Sequence, residues 1–296
     1  MRKVVALVAP FGLLALLLGG CLSPAAPTWQ GLGQTTLAEL AAQRTEGHFA
    51  PFLVPYVVEA AVRVGLEPAE WPQGRPVADD LVVPNEPYFS TLRPTFARVL
   101  ANPGDRDVES QALAAVLAGF DGRQFGDASK TLDDAFALFT LAALGAGSSA
   151  PAQAAAGFLA ASANATGGWS YLATGTPDVD STGIVVAALA AVGRPPPAGP
   201  VEAFLTRATS LHGGSGAAPG APVNCQSTVW AIRAELALGH PVPAMAWSFL
   251  ASLRVARGWS AHAGEAADAF CSVEVATLFG VAHQAGVPVP SAFSFE

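Results

Sequence analysis

Beyond residue 130 the chain alternates two kinds of apolar segment. From Gly183 to Val192 there is no polar residue on any face. A helix that is apolar all round must be buried all round. Residues 198–211 read differently: Glu202, Arg207 and Thr209 interrupt a stripe of Val201, Phe204, Leu205 and Ala208. That pattern predicts a helix with one buried face and one wet face. Residues 150–163 and 243–256 share it, and Pro151, Pro200 and Pro243 stand where the first turns of these helices would lie. The fully apolar segments begin with Asp, Asn, Ser or Thr, which suit an N-cap, and end at a Gly, which suits the position after the last turn.

These segments repeat. Thr131–Gly145, Asp178–Gly193, Asn224–Gly239 and Asp268–Gly286 align, with Asp133, Ser181, Ser227 and Ser272 spaced by 48, 46 and 45 residues. The connections back are Gly-rich: Gly167-Gly168-Trp169, Gly213-Gly214-Ser215-Gly216 and Gly258-Trp259. The unit is therefore an exposed helix, a Gly-rich loop and a buried helix. Stacking such units gives an all-α fold, an α/α toroid with parallel inner helices and an outer layer. The inner helix N-termini, each with unpaired N–H groups and partial positive charge, collect at one mouth, where a ligand is expected to sit. The repeats are clear over 131–286 within a domain spanning 36–296. The first half fits less well: Phe52–Val64 reads as an inner helix, 66–90 as a Pro-rich excursion, and Leu92–Ala101 and Val108–Phe120 as helices. About five inner helices result, which predicts a ring of fewer than six pairs, or an open one.

The N-terminus carries a different signal. Arg2 and Lys3 precede an apolar run, Val4–Leu18, too short for the ~20 residues of a comfortable membrane span. It leads into Leu18-Gly19-Gly20-Cys21, which resembles the bacterial lipobox. The expectation is a signal peptide over 1–20, lipidation of Cys21, and a tether over 21–35 rich in Pro, Ser, Gly and Thr. The resemblance implies a bacterial cell-envelope protein held to the membrane by acyl chains, in the outer membrane of a Gram-negative host because residue 22 is Leu. No later segment is apolar for long enough to span a bilayer. Of 296 residues only 13% are charged, and the net charge is −8. With Lys3 and Lys130 the only lysines and no basic cluster, nucleic acid is excluded as a partner. Cys225 and Cys271 remain beyond the anchor. An even pair in an oxidising compartment suggests a disulfide, although spacing alone does not show that the two meet.

The Gly-Trp loop followed by a polar helix start resembles the superfamily of prenyltransferase β subunits, squalene-hopene-type cyclases and the cobalamin carriers intrinsic factor and transcobalamin. Asp178-Val179-Asp180-Ser181-Thr182-Gly183-Ile184 is similar to the start of an inner helix in the carriers, and Leu132-Asp133-Asp134-Ala135-Phe136-Ala137 to the preceding one. The resemblance places Asp133 and Asp178 at a corrinoid-facing mouth. Asn224 and Gln226 stand at the next helix start, where their amides suit those of a corrin. The carriers close over their ligand with a further domain, so a separate lid or transport protein is an implied partner.

The stretch around Asp180 also resembles the class II terpene cyclase motif, which would make Asp180 the general acid of an enzyme, with Ser181 standing where the motif has another Asp. A prenyltransferase would need a zinc site, for which Asp268 and Cys271 are spaced by three rather than two; no metal is expected. Against these stands the plain reading that Asp133, Asp178, Asp180 and Asn224 are helix caps. The expectation carried forward is a non-catalytic module binding a small amphipathic ligand, a corrinoid being the candidate, through Asp133, Asp178, Asp180, Asn224 and Gln226. A cyclase-like enzyme and a structural or protein-binding surface module are the alternatives. Arg233 and Glu235, inside an otherwise apolar helix, call for either a buried pair or a lumen-facing contact.

Overall fold

The computed structural model describes residues 26–83 and 88–294. Residues 1–20, expected to be a signal peptide, and Cys21 lie outside the described residues. Among the described residues there are eleven α-helices: α1 (Trp29–Ala41), α2 (Val54–Arg63), α3 (Tyr88–Ala101), α4 (Arg106–Leu117), α5 (Thr131–Ala143), α6 (Ala150–Ala161), α7 (Val179–Ala191), α8 (Ala198–Ala208), α9 (Cys225–Ala237), α10 (Ala244–Ser252) and α11 (Ala269–Gln284). The fold is all-α, with one small antiparallel sheet of three strands, β1 (Arg254–Val255), β2 (Gly258–Ser260) and β3 (Ala267–Asp268), in the order β1-β2-β3.

The inner helices form a closed ring. α2 packs on α3, α3 on α5, α5 on α7, α7 on α9, α9 on α11, and α11 back on α2. The ring thus has six inner helices and is closed, where the sequence pattern led to about five and left it open. The missing member is α3. Its sequence reads as an ordinary mixed helix because Arg93 and Thr95 break the apolar run, yet both are buried.

The outer layer is α4, α6, α8 and α10, each packed on an inner neighbour. Among the described residues no outer helix stands between α2 and α3. The Pro-rich segment there includes only a short 3-10 turn, Val77–Asp80, which buries Val77. α1 supplies the remaining outer position, packed on α11 and α2. Part of the range 21–35, expected as a tether, is instead helical from Trp29 onward, where Thr28 caps α1 by accepting the Gly31 N–H at 3.0 Å. Gly31 and Gly33 disguise this helix in the sequence. Gly33 is needed because a Cβ there would stand 2.4 Å from Cγ1 of Val64. Trp29 anchors the first turn of α1, donating from Nε1 to the Val287 carbonyl and stacking among Trp247, Phe279 and Phe293. The ring closes within residues 26–294.

Backbone turns join the inner helices to the outer layer in one way. Gly65, Gly145, Gly193, Gly239 and Gly286 all adopt the left-handed conformation just after an inner helix. The following N–H then reaches back to the last turn, as from Leu66 to Ala61, Ala146 to Leu141 and Arg194 to Leu189.

Glycine also sets the spacing inside the ring. A Cβ on Gly183 of α7 would lie 2.5 Å from the Trp230 carbonyl oxygen of α9, whereas one on Gly157 of α6 would meet nothing within 4 Å. Helix propensity alone favours alanine at both sites by up to about 1 kcal/mol. Chemical denaturation should therefore find Gly157→Ala more stable by about 0.5–1 kcal/mol. Gly183→Ala should be less stable by about 1–3 kcal/mol, because backbone in a packed ring cannot retreat.

Candidate functional site

The cavity described below is lined by the last turns of all six inner helices, so these helices run parallel and their N-termini share the opposite mouth. At that mouth one polar device recurs in successive repeats. Asp178, Asn224 and Asp268 are the N-caps of α7, α9 and α11, accepting the N–H of Ser181 at 2.7 Å, Ser227 at 2.8 Å and Cys271 at 2.6 Å. One residue past each of those donors is a hydroxyl: Thr182, Thr228 and Ser272. Each donates to the carbonyl of its cap residue (2.6, 2.7 and 2.7 Å) and accepts the N–H of Trp169, Ser215 or Trp259 (2.9, 2.9 and 3.0 Å). The device ties the Gly-Trp loop to the helix start. It also shifts the last repeat by one residue, since Cys271, not Ser272, is the counterpart of Ser181 and Ser227.

α5 departs from this device. Lys130 stands at its cap without a side-chain bond, and Asp134 takes the hydroxyl's place, accepting the Phe125 N–H at 2.7 Å. Asp133 accepts the Asp127 N–H at 2.9 Å and is 2% exposed. Asp133 therefore does not occupy the position of Asp178. A hydroxyl both donates and accepts, whereas an ionised carboxylate only accepts. Asp134 Oδ2 is buried without a partner. Burial accordingly raises the Asp134 pKa to about 8, against the Phe125 N–H, with Asp133 and Asp121 adding to the rise.

One turn-start residue of α7 and one of α9 remain outside the capping scheme: Asp180 and Gln226, both half-buried. Asp180 bonds to the Ser227 hydroxyl, which also accepts from the Asn224 amide at 3.1 Å. Oδ1 of Asp180 is buried and has no partner. Burial raises its pKa to about 6, opposed by Ser227 and helped by Asp178. The sequence-derived set thus divides. Asp178 and Asn224 work as caps, Asp133 braces a loop, and Asp180 and Gln226 are half-buried first-turn residues of α7 and α9 at the mouth. Cys225 and Cys271 join α9 to α11 by a disulfide at the same level, with Cα atoms 6.1 Å apart. Cys271 is thereby no thiolate ligand, and Asp268 is a cap rather than a metal ligand.

Deeper in the ring the lumen is filled by charge. Glu59 of α2 pairs with Arg63 (2.7 Å), with Arg93 of α3 (2.5 Å) and with Arg233 of α9 (3.6 Å). Arg233 also reaches Glu274 of α11 at 3.4 Å. The guanidinium of Arg93 lies over the rings of Tyr56, at 4.2 Å, and Phe136, at 5.3 Å, and that of Arg233 over Trp230 at 3.9 Å. Burial pushes Glu59 up, but Arg93, Arg63 and Arg233 overcome it and hold it well below the carboxylate range. Burial raises Glu274 to about 7 against Arg233 and Arg93, and lowers Arg233 to about 10 against Glu59 and Glu274. Arg233 was a visible oddity in the sequence; Glu59, Arg93 and Glu274 meet it and one another only in the fold. Glu235 instead joins Glu202 and His240, whose Nδ1 lies 2.7 Å from Glu202 and 3.2 Å from Glu235. His240 is thus tied down rather than free in solvent.

At the far end lies a cavity of about 710 Å³, with Ala142, Ala187, Ala190 and Leu236 among its walls and Arg233 at its base.

A scan against protein-family models matches none, and a search of curated proteins also finds no match. Among solved structures, a polysaccharide lyase superposes with a TM-score of 0.50 at 12% identity, over 88% of this chain and 90% of its own. At that identity the likeness shows the helical architecture alone.

The Asp134 geometry sets a sign for pH dependence. Its folded pKa, about 8, lies above the unfolded value near ~3.9. Its contribution to stability is full below pH ~4 and is lost as pH rises through 8. Asp134→Asn, which keeps an acceptor and adds a donor, should therefore be more stable than the natural chain at pH 7 by about 1–3 kcal/mol. In urea titrations across pH the gain should vanish below pH ~4.

Proposed function

We propose that the chain is an exported, lipid-anchored envelope protein whose helical ring binds a small amphipathic ligand without transforming it. The observation that carries the ligand reading is the buried, unpartnered Oδ1 of Asp180 at the mouth. A buried carboxylate oxygen without a partner is costly, by about 1–3 kcal/mol or more when charged, and a ligand N–H would remove that cost. A corrinoid is the motivated candidate. The stretch from Asp178 to Ile184 resembles the carriers, and a corrin's peripheral amides complement a carboxylate and an amide at one mouth.

The cyclase-like alternative fits the interior poorly. Glu274, Arg93 and Phe136, all buried, occupy the lumen that a reacting chain would need. An acid with its pKa raised to about 6 is also a weaker proton donor than an ordinary carboxyl group. The filled lumen instead favours, as second reading, a structural or protein-binding surface module. The anchor rests on the Leu18–Cys21 motif.

Calorimetric titration of residues 26–296 with cobinamide should give saturable binding. Asp180→Ala should weaken it by roughly tenfold or more, the equivalent of one charge-assisted hydrogen bond. No heat at high cobinamide would remove the corrinoid. In a bacterial host, radiolabelled palmitate should enter the chain and be lost in Cys21→Ala; unchanged labelling would remove the anchor.

A further inference from the structure

The cavity at the C-terminal ends of the inner helices is a second site, remote from the capped mouth. The charged residues lining it are Arg63 and Arg233; its other lining residues are Gln284 and apolar side chains. Arg233 is only 4% exposed, and its carboxylate partners stand at 3.4 and 3.6 Å. Charge-assisted N–H···O bonds are normally about 2.7–2.9 Å, so its donors are poorly used. The cluster beneath holds Arg63, Arg93 and Arg233 against Glu59 and Glu274, which leaves at least one positive charge without a matching carboxylate. The negative ends of the inner helices oppose this charge, and in five of the six a returning N–H engages one last-turn carbonyl, at Ala61, Leu141, Leu189, Glu235 and Ala282, which lessens that opposition.

We propose that this cavity binds a small amphipathic monocarboxylate, its carboxylate on Arg233 and its apolar body along the wall of Ala142, Ala187 and Ala190. Its size falls within the ~300–1,000 Å³ typical of small-molecule sites. Arg63, bonded to Glu59 and to Gln284 at 3.1 Å, holds one side of the opening. The inference does not depend on Asp180 or on a corrinoid, and cobinamide titrated on the same protein reads the other mouth separately.

The test is calorimetry of residues 26–296 with octanoate, octanol and octylammonium below their micellar concentrations. Octanoate should saturate at one per chain, octanol should bind at least tenfold more weakly, and octylammonium should give no heat. Arg233→Met should weaken octanoate at least tenfold, and Ala190→Phe, which fills the cavity from its α7 wall, should abolish its binding. Should Arg233→Met fail to fold, Ala190→Phe decides alone. The proposal is overturned by the absence of saturable octanoate binding, by equal affinity for octanol, or by unchanged binding in Ala190→Phe.

Discussion

The buried cluster around Glu59 is the constraint on which the ring depends. Its carboxylate sits where α2 meets α3 and α9, and through Arg233 it is linked to Glu274 on α11. Four of the six inner helices are thus bound to one group of charges. A carboxylate without partners at such a site would cost several kcal/mol, so these helices hold their relative positions or lose the charges' compensation together. The aromatic faces of Tyr56, Phe136 and Trp230 over the guanidinium groups extend the same restraint to α5.

This arrangement divides the ring into two ends of different chemistry. On the N-terminal side the helix starts are closed by Asp178, Asn224 and Asp268, each satisfying an N–H that would otherwise be orphaned. Most polar groups there serve the fold; Asp133, Asp134 and Asp180 each keep a buried oxygen without a partner, but Asp133 and Asp134 also brace a loop N–H, whereas Asp180 bonds to the Ser227 hydroxyl. On the C-terminal side the small side chains of α5 and α7 leave space that Arg233 borders. A plug of charge between the two makes them separate sites rather than a channel.

Much of the C-terminal half was legible in the sequence, because α7 lacks any polar residue between Gly183 and Val192 and because the caps recur near 46-residue spacing. Helix starts, closing glycines and the parallel ring all follow from that pattern. The first half was harder for a physical reason. α2 and α3 carry Glu59 and Arg93, whose burial depends on each other across a gap of 34 residues, and no local pattern announces such a pair. α1 hides behind Gly31 and Gly33, which read as tether, although Gly33 is needed for close approach to Val64. Among the candidate site residues, spacing found the mouth but could not separate cap from free group. That distinction rests on which oxygen already has a partner. The charged floor of the far cavity had a single sequence signal, Arg233 in an apolar run.

The most direct measurement of the central claim is a double-mutant cycle on Glu59 and Arg93, read by urea denaturation. If the buried cluster locks the ring, Glu59→Leu and Arg93→Leu should each cost about 3–5 kcal/mol, since each leaves an opposite charge stranded. The double variant should then cost clearly less than their sum, with a coupling above about 1 kcal/mol. Small single losses that simply add would contradict it, and would show that the ring is held by its apolar contacts alone.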